Sequence, residues 1–214
     1  MAGLASAMLQ GSELLVDNQH VLAYTPATAI ELWGALNLRC GDHILYIGTG
    51  WGEILLAWVL AVVAAAADTS KLLLSVHAME SSAVAMVVFR LALSRLPSEQ
   101  NVSVEESENT VIVGGVVRLV LQCIDACSLK SLQPYTHVYT TATDARLYDW
   151  MMDLLHDDPC ARPITLAAFE STLDPYEKDF SGQDSCCRIM DKRSGEMHLS
   201  GSGEGHKVVA WLIN

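Results

Sequence analysis

Apolar and polar residues fall in blocks along the chain, and the blocks alternate between two kinds. Short apolar runs such as "HILYI" (43–47), "KLLLSVHAM" (71–79) and "PITLAAF" (163–169) are strand-length, and turn residues bound them. Between them lie longer stretches with helical spacing: "EILLAWVLAVVAAAA" (53–67), "SAVAMVVFRLALSRL" (82–96) and "ARLYDWMMDLL" (145–155). Continuous apolar strands alternating with helices predict a parallel sheet covered on both faces. Thr25-Pro26 predicts an N-cap and first-turn proline opening a helix through "ATAIELWGAL", with Ile30, Trp33 and Leu36 on its buried face. Pro97 predicts the end of the third helix. Residues 97–110, polar and acidic, predict a surface loop or short hairpin ahead of a third core strand, "VRLVLQCI". "THVYTTA" is the fourth strand. "CCRIMD" and "HKVVAWLIN" predict a closing antiparallel hairpin.

The expected architecture is therefore α/β, a doubly wound and mostly parallel seven-stranded sheet with a C-terminal antiparallel hairpin. Residues 1–24 are a lead-in and 25–214 a single domain. A chain of 214 residues that is 51% hydrophobic can bury one large core.

Charge narrows the partners. The net charge is −12, with 13 Lys and Arg against 25 Asp and Glu, so the chain lacks the cationic surplus that a polyphosphate surface requires. No direct nucleic-acid binding is expected, and a basic or small-molecule partner fits better. The uncharged stretch Ile54–Ala67 is about 14 residues long, short of the roughly 20 needed to cross a bilayer, so it reads as a buried helix and no membrane partner is expected. The start of the chain has no basic residue ahead of its apolar stretch, which points to a cytoplasmic or nuclear location. Six cysteines, including Cys123 and Cys127 four apart and the adjacent Cys186 and Cys187, lack paired ligand spacing, so no metal is expected.

The densest chemical signal is "YIGTGWGE". Gly48, Gly50 and Gly52 carry the chain from the first strand to a helix N-terminus, an arrangement that permits close backbone approach to a ligand and offers free N–H groups. By this reading Gly50 and Gly52 leave out side chains that would block it. Glu80 stands at the tip of the second strand, where a carboxylate in a doubly wound sheet can hold ribose hydroxyls. Asp125 follows the third strand, where an adenine amino group could be met. The glycines run G-x-G-x-G, unlike the G-x-G-x-x-G of nicotinamide sites.

"ILYIGTGWGEILL", "VHAMESS" and "QCIDAC", followed by a terminal strand hairpin, resemble the seven-stranded class I S-adenosylmethionine-dependent methyltransferases from about Tyr24 onward. "RCGDHILYIGTGWGE" is similar to the glycine motif of protein isoaspartate methyltransferases. "GTGWGEILLA" and "YTHVYTTATD" are most similar to the disruptor-of-silencing histone lysine methyltransferases, which lack a SET domain. The resemblance implies S-adenosyl-L-methionine as cofactor, with Gly48, Thr49, Gly50 and Gly52 at its methionine part, Glu80 at the ribose and Asp125 at the adenine. Tyr24 and Thr25 would fold over it. Glu53 stands where the histone group commonly has glutamine, and Thr140, Thr141 and Thr143 would lie near the methyl group.

Two departures stand out. Tyr46 replaces the acid that usually precedes the first glycine by two residues, where its hydroxyl could reach the cofactor through water. "TTATDA" replaces an Asn-and-Phe motif. Thr141 and Asp144 are the candidate catalytic residues, although Asp144 could equally cap the following helix. Tyr139, Trp51 and Phe169 are candidates to line an acceptor channel. The implied function is methyl transfer to a protein side chain, lysine in a basic protein such as a histone. The alternative is a non-catalytic binding or assembly module on the same fold, with a small-molecule methyltransferase third.

Overall fold

The computed structural model describes residues 26–66, 73–100, 102–157, 163–180, 187–198 and 205–214. Helix α1 (Pro26–Leu36) leads into β1 (Asp42–Ile47), α2 (Glu53–Ala65), β2 (Leu74–Glu80) and α3 (Ala83–Gln100). Then come β3 (Val104–Ser107), β4 (Thr110–Val113), β5 (Val117–Cys123), β6 (His137–Thr140) and α4 (Ala145–Asp157). The chain closes with β7 (Ile164–Phe169), the short α5 (Glu170–Leu173), a 3-10 segment Asp174–Phe180, β8 (Ile189–His198) and β9 (Gly205–Ile213).

The nine strands among the described residues join one sheet in the order β3-β4-β5-β2-β1-β6-β7-β9-β8. The central five, β5 to β7 in that order, are parallel, and β9 and β8 close the edge antiparallel. These are the seven strands that the sequence pattern predicts. The remaining two correct the count of seven and realise the hairpin alternative for the polar stretch: residues 104–113 form an antiparallel hairpin added beyond β5. Its turns explain why it forms. Glu108 takes a left-handed conformation (φ 40°), and Gly114-Gly115 (φ 60° and 71°) fold β4 back onto β5.

Period-two alternation splits the β1 side chains between the two faces. Ile44 and Tyr46 join the core under α1, α2 and α3, which includes Trp58, Phe89 and Leu96. Leu45 and Ile47 join the other core, under α4 and the 3-10 segments Ala126–Ser128 and Asp174–Phe180, with Tyr148, Phe180 and Trp211. Tyr46, Trp58 and Tyr139 form a buried triangle with centroids 4.8 to 6.0 Å apart, and each such aromatic contact adds about 0.5–1.5 kcal/mol beyond area burial.

α3 does not stop before Pro97 but runs through it to Gln100. Pro97 sits in the last turn, where the N–H it lacks would have served only one carbonyl, and buried Leu96 holds that turn to the core. In α1, Leu32, Ala35 and Leu36 are buried while Trp33 is half-buried; the side chain of Ile30 lies outside the described residues. Cys187 precedes β8 rather than lying in it, donating from Sγ to the Leu155 carbonyl, and Cys186 is outside the described residues. Among the described residues no helix is long and apolar enough to cross a membrane, and no cluster of His, Cys, Asp and Glu could hold a metal ion.

Candidate functional site

The parallel register brings the carboxyl ends of four strands level. Ile47 pairs with both Met79 and Thr140, and Glu80 pairs with Cys123. The loops that follow β5, β2, β1 and β6 therefore meet at one edge of the sheet, where doubly wound folds bind ligands. Gly48 N–H donates to the Met79 carbonyl (2.9 Å) and Ile124 N–H to the Glu80 carbonyl (3.1 Å), tying the loops to each other.

Glu80 is the centre of this edge. Its side chain is 6% exposed, and both carboxylate oxygens accept backbone hydrogen bonds. Oε2 takes the Gly50 N–H (2.9 Å) and Oε1 the Ser82 N–H (2.8 Å). A carboxylate has about four acceptor positions, so at least one remains for a ligand hydroxyl. The same residue that could hold a diol thus also shapes the glycine turn.

The three glycines do different work. Gly48, Gly50 and Gly52 all have positive φ (71°, 55° and 83°), which other residues adopt only with strain. A Cβ on Gly50 would meet nothing within 4 Å, so this is where a ligand has room. A Cβ on Gly52 would lie 2.2 Å from the Phe89 ring, so its absence serves helix packing and not ligand approach, which corrects the shared reason expected for Gly50 and Gly52. Gly52 also closes the turn, donating its N–H to the Thr49 carbonyl (3.0 Å).

Thr49 carries a buried side-chain oxygen, Oγ1, that finds no partner among the described residues, and the residue is 4% exposed. Such a group costs about 1–3 kcal/mol in the free protein, and a ligand that supplies a partner recovers it. Glu53, in the first turn of α2, is half-buried, and burial pushes its carboxyl above the usual range. Tyr46 packs 1% exposed in the aromatic triangle, beneath the turn and not at its surface. Tyr139, a candidate channel aromatic, is fully buried in the same triangle, which takes it out of any channel. Phe169 is 7% exposed against His206, and Trp51 remains half-exposed in the turn.

Beyond β6, Thr140 is fully buried and its Oγ1 accepts from Ala142 N–H (3.0 Å), so the hydroxyl folds the loop. Tyr148 Oη donates to the Ala142 carbonyl (2.7 Å), and Thr141 between them is half-buried. Asp144 caps α4, with Oδ1 accepting from Arg146 N–H (3.0 Å). Asp125 caps the 3-10 turn after β5 through Cys127 N–H (3.0 Å), and that bond holds its carboxyl below the ordinary value. Arg146 lies 3.4 Å from Asp125 and 3.6 Å from Asp144, bridging the two loops across the edge. Tyr24 and Thr25 fall outside the described residues.

Sequence reasoning missed three participants. Ser82 and Arg146 could not be assigned without the fold, because one acts through its backbone and the other through residues 21 and 2 positions away. Ile124, 42% exposed between Glu80 and Asp125, offers an apolar surface at the edge, and its place in an apolar strand run hid it.

No family model matches the sequence, and no curated protein matches it. Solved structures match in fold. The chain is similar over 98% of its length to a SAM-dependent O-methyltransferase from Thermotoga maritima, at 11% identity, covering 71% of that chain with a TM-score of 0.59. It is similar over 91% of its length to a dimethyladenosine transferase from Plasmodium falciparum, at 12% identity, covering 63% of that chain with a TM-score of 0.53. It is similar over 98% of its length to the tRNA (m1A58) methyltransferase TrmI from Aquifex aeolicus, at 10% identity, covering 75% of that chain with a TM-score of 0.53. The chain has the Rossmann-like fold that these methyltransferases share.

Proposed function

We propose that this chain is an S-adenosylmethionine-dependent methyltransferase that binds its cofactor over the Gly48–Glu53 turn. The observation that carries the reading is the bond from Gly50 N–H to the buried Glu80 carboxylate, beside the open space at Gly50 and the unpartnered Thr49 hydroxyl. Glu80 would accept from the ribose hydroxyls, Ile124 would lie against the adenine, and Asp125 would meet its amino group. Gly48, Gly50 and Thr49 would face the methionine part. Tyr46 contributes from below, as a support for the turn.

When bound, the cofactor supplies an electrophilic methyl on a sulfonium. The protein then needs only to align an acceptor and exclude water, and no protein nucleophile is required. The 141–144 segment, tied down by Thr140 and Tyr148, is the candidate wall for that alignment, with Thr141 nearest its middle. Asp144 serves the reaction through the position of α4.

For the acceptor, charge supports a basic protein side chain such as lysine. Asp149, Asp174 and Asp179 are exposed on the segments that follow β6 and β7, whereas Arg146 and Lys207 are paired with acids. An RNA acceptor is the second reading, favoured by the tRNA substrate in the name of the Aquifex aeolicus fold neighbour.

Calorimetric titration with S-adenosylmethionine and S-adenosylhomocysteine tests the cofactor site, with Glu80→Gln as the control. Micromolar affinity in the wild type, weakened in the variant, is the expected result. A folded wild type that binds neither would leave the non-catalytic module as the reading. Transfer of radiolabelled methyl to histones or to total RNA then separates the acceptors.

A further inference from the structure

A cavity lies at the end of the sheet opposite the glycine turn. It has a volume of about 310 Å³ and opens between the end of α1 and the strand ends of β1, β6, β8 and β9. Its polar lining comes chiefly from Asn37, Arg39, Asp42, His137, Asp191 and Arg193, and its apolar lining includes Leu36, Ala210 and Leu212.

Asn37 is one of two non-glycine residues with positive φ (53°) among those described. That backbone aims its amide between two guanidiniums. In the orientation its neighbours dictate, the amide oxygen accepts from Arg39 Nη2 (3.1 Å) and Arg193 Nη1 (3.2 Å). Arg193 is neutralised by Asp191 at 2.8 Å. Arg39 has no ion-pair partner among the described residues, and the neutral Asn37 oxygen is what holds it.

Asp42 is the opposite case. Its Oδ2 accepts from the Arg39 backbone N–H (2.6 Å), and its nearest ionisable partner, His137 Nδ1, is 3.8 Å away. His137 donates from Nε2 to the Leu36 carbonyl (3.0 Å), and its Nδ1 lies 2.8 Å from Thr136 Oγ1, a hydroxyl that also sits 3.0 Å from the His43 carbonyl. Burial lowers its pKa against the pull of Asp42, and at 3.8 Å it is a weak counter-charge for that carboxylate. The cavity therefore holds one uncompensated cation and one uncompensated anion, three residues apart in sequence, that do not pair with each other.

We propose that this cavity binds a small zwitterion, a free α-amino acid with an aliphatic side chain. Its carboxylate meets the guanidinium of Arg39 at Asn37, its ammonium meets the carboxylate of Asp42, and its side chain lies on Leu36, Ala210 and Leu212. Guanidinium suits a carboxylate because its planar fork offers two parallel donors. A lining with balanced charge matches a ligand that carries both signs and disfavours one that carries a single sign.

The test is calorimetry on the full chain with L-leucine, with 4-methylpentanoate, which lacks the ammonium, with 3-methylbutylamine, which lacks the carboxylate, and with inorganic phosphate. Leucine is expected to bind at least tenfold more tightly than any of the other three. Arg39→Gln, an exposed change that leaves the core intact, is expected to weaken leucine at least tenfold, and so is Asp42→Asn. Glu80→Gln, at the other end of the sheet, is expected to leave leucine affinity unchanged. The proposal is overturned if leucine does not bind, if phosphate or 4-methylpentanoate binds as well, or if Arg39→Gln has no effect.

Discussion

A Cβ placed on Gly52 would stand 2.2 Å from Cδ2 of Phe89, at the point where the glycine turn enters α2 and α3 passes behind it. Gly52→Ala therefore combines left-handed strain with overpacking, for an expected loss of roughly 2–5 kcal/mol. Adding Phe89→Leu should restore part of it. Gly50→Ala has the strain without the clash, at roughly 1–2 kcal/mol, and its methyl enters open space beside Glu80. Melting temperatures should rank Gly52→Ala as the less stable, while cofactor titration of the folded protein should show the larger defect in Gly50→Ala. The reverse ranking would mean that the two glycines have been given each other's role.

Glu80 calls for two substitutions, because it both faces the site and receives two backbone N–H groups. Glu80→Gln keeps one acceptor oxygen and is expected to stay folded while losing at least tenfold in S-adenosylmethionine affinity. Glu80→Ala strands the N–H groups of Gly50 and Ser82, costing a further 1–3 kcal/mol or so for each that water does not reach. Thermal unfolding beside calorimetry separates the two effects. Equal affinity of Glu80→Gln and wild type would remove the ribose assignment.

The parallel centre of the sheet was legible because short, largely apolar runs alternate with helices, and a run such as Ile164–Phe169, buried at every position, admits few other readings. The β3-β4 hairpin was harder to see. Its strands are four residues each, acidic on β3, and only Val111 and Val113 of β4 are buried in the core. Glu80 was legible from its place at a strand tip. The differing reasons for Gly50 and Gly52 were not, because Phe89 lies 37 positions beyond Gly52 and only the packing of α3 brings it near. Tyr46 likewise looked like a ligand group until its neighbours Trp58 and Tyr139 placed it in a core.

Thr49→Val should act with opposite signs on the free and bound protein. Removing the buried, unpartnered hydroxyl eliminates an unsatisfied group while nearly conserving shape, so the free protein should become more stable by about 1 kcal/mol. If that hydroxyl completes its hydrogen bond with the cofactor, the stabilisation on adding S-adenosylhomocysteine should shrink. Differential scanning fluorimetry with and without ligand reads both. A variant less stable in the free state would indicate that Oγ1 already has a partner.

Glu53 gives a pH signature. Burial raises its carboxyl pKa in the folded state above the usual 4.5, so the unfolded chain ionises first as pH rises. Its contribution to stability is fully present below 4.5 and is lost as pH climbs through the raised folded value. Glu53→Gln should therefore be more stable than wild type at neutral pH, with the difference fading as the pH falls toward 4.5. Urea midpoints across that range test it. A constant difference at all pH values would assign the effect to packing instead of ionisation.

Tyr148 connects α4 to the segment on which acceptor alignment depends. It is 1% exposed, and its hydroxyl donates to the Ala142 carbonyl at 2.7 Å. Burial is the main reason its pKa is pushed up to about 12, so it remains a proton donor at any pH the protein tolerates. Tyr148→Phe keeps the ring in the core and releases the carbonyl, for a loss near 1 kcal/mol in stability. The consequence for function follows from position: Ala142 is two residues from Asp144 and next to Thr141, while Glu80 and the glycine turn are anchored independently. Once an acceptor is identified, kcat should fall severalfold with S-adenosylmethionine affinity unchanged, because positioning of the acceptor wall is lost and cofactor contacts are not. If affinity falls in step with kcat, the 141–144 segment belongs to the cofactor site. If neither changes, its anchoring by Tyr148 is a matter of stability alone.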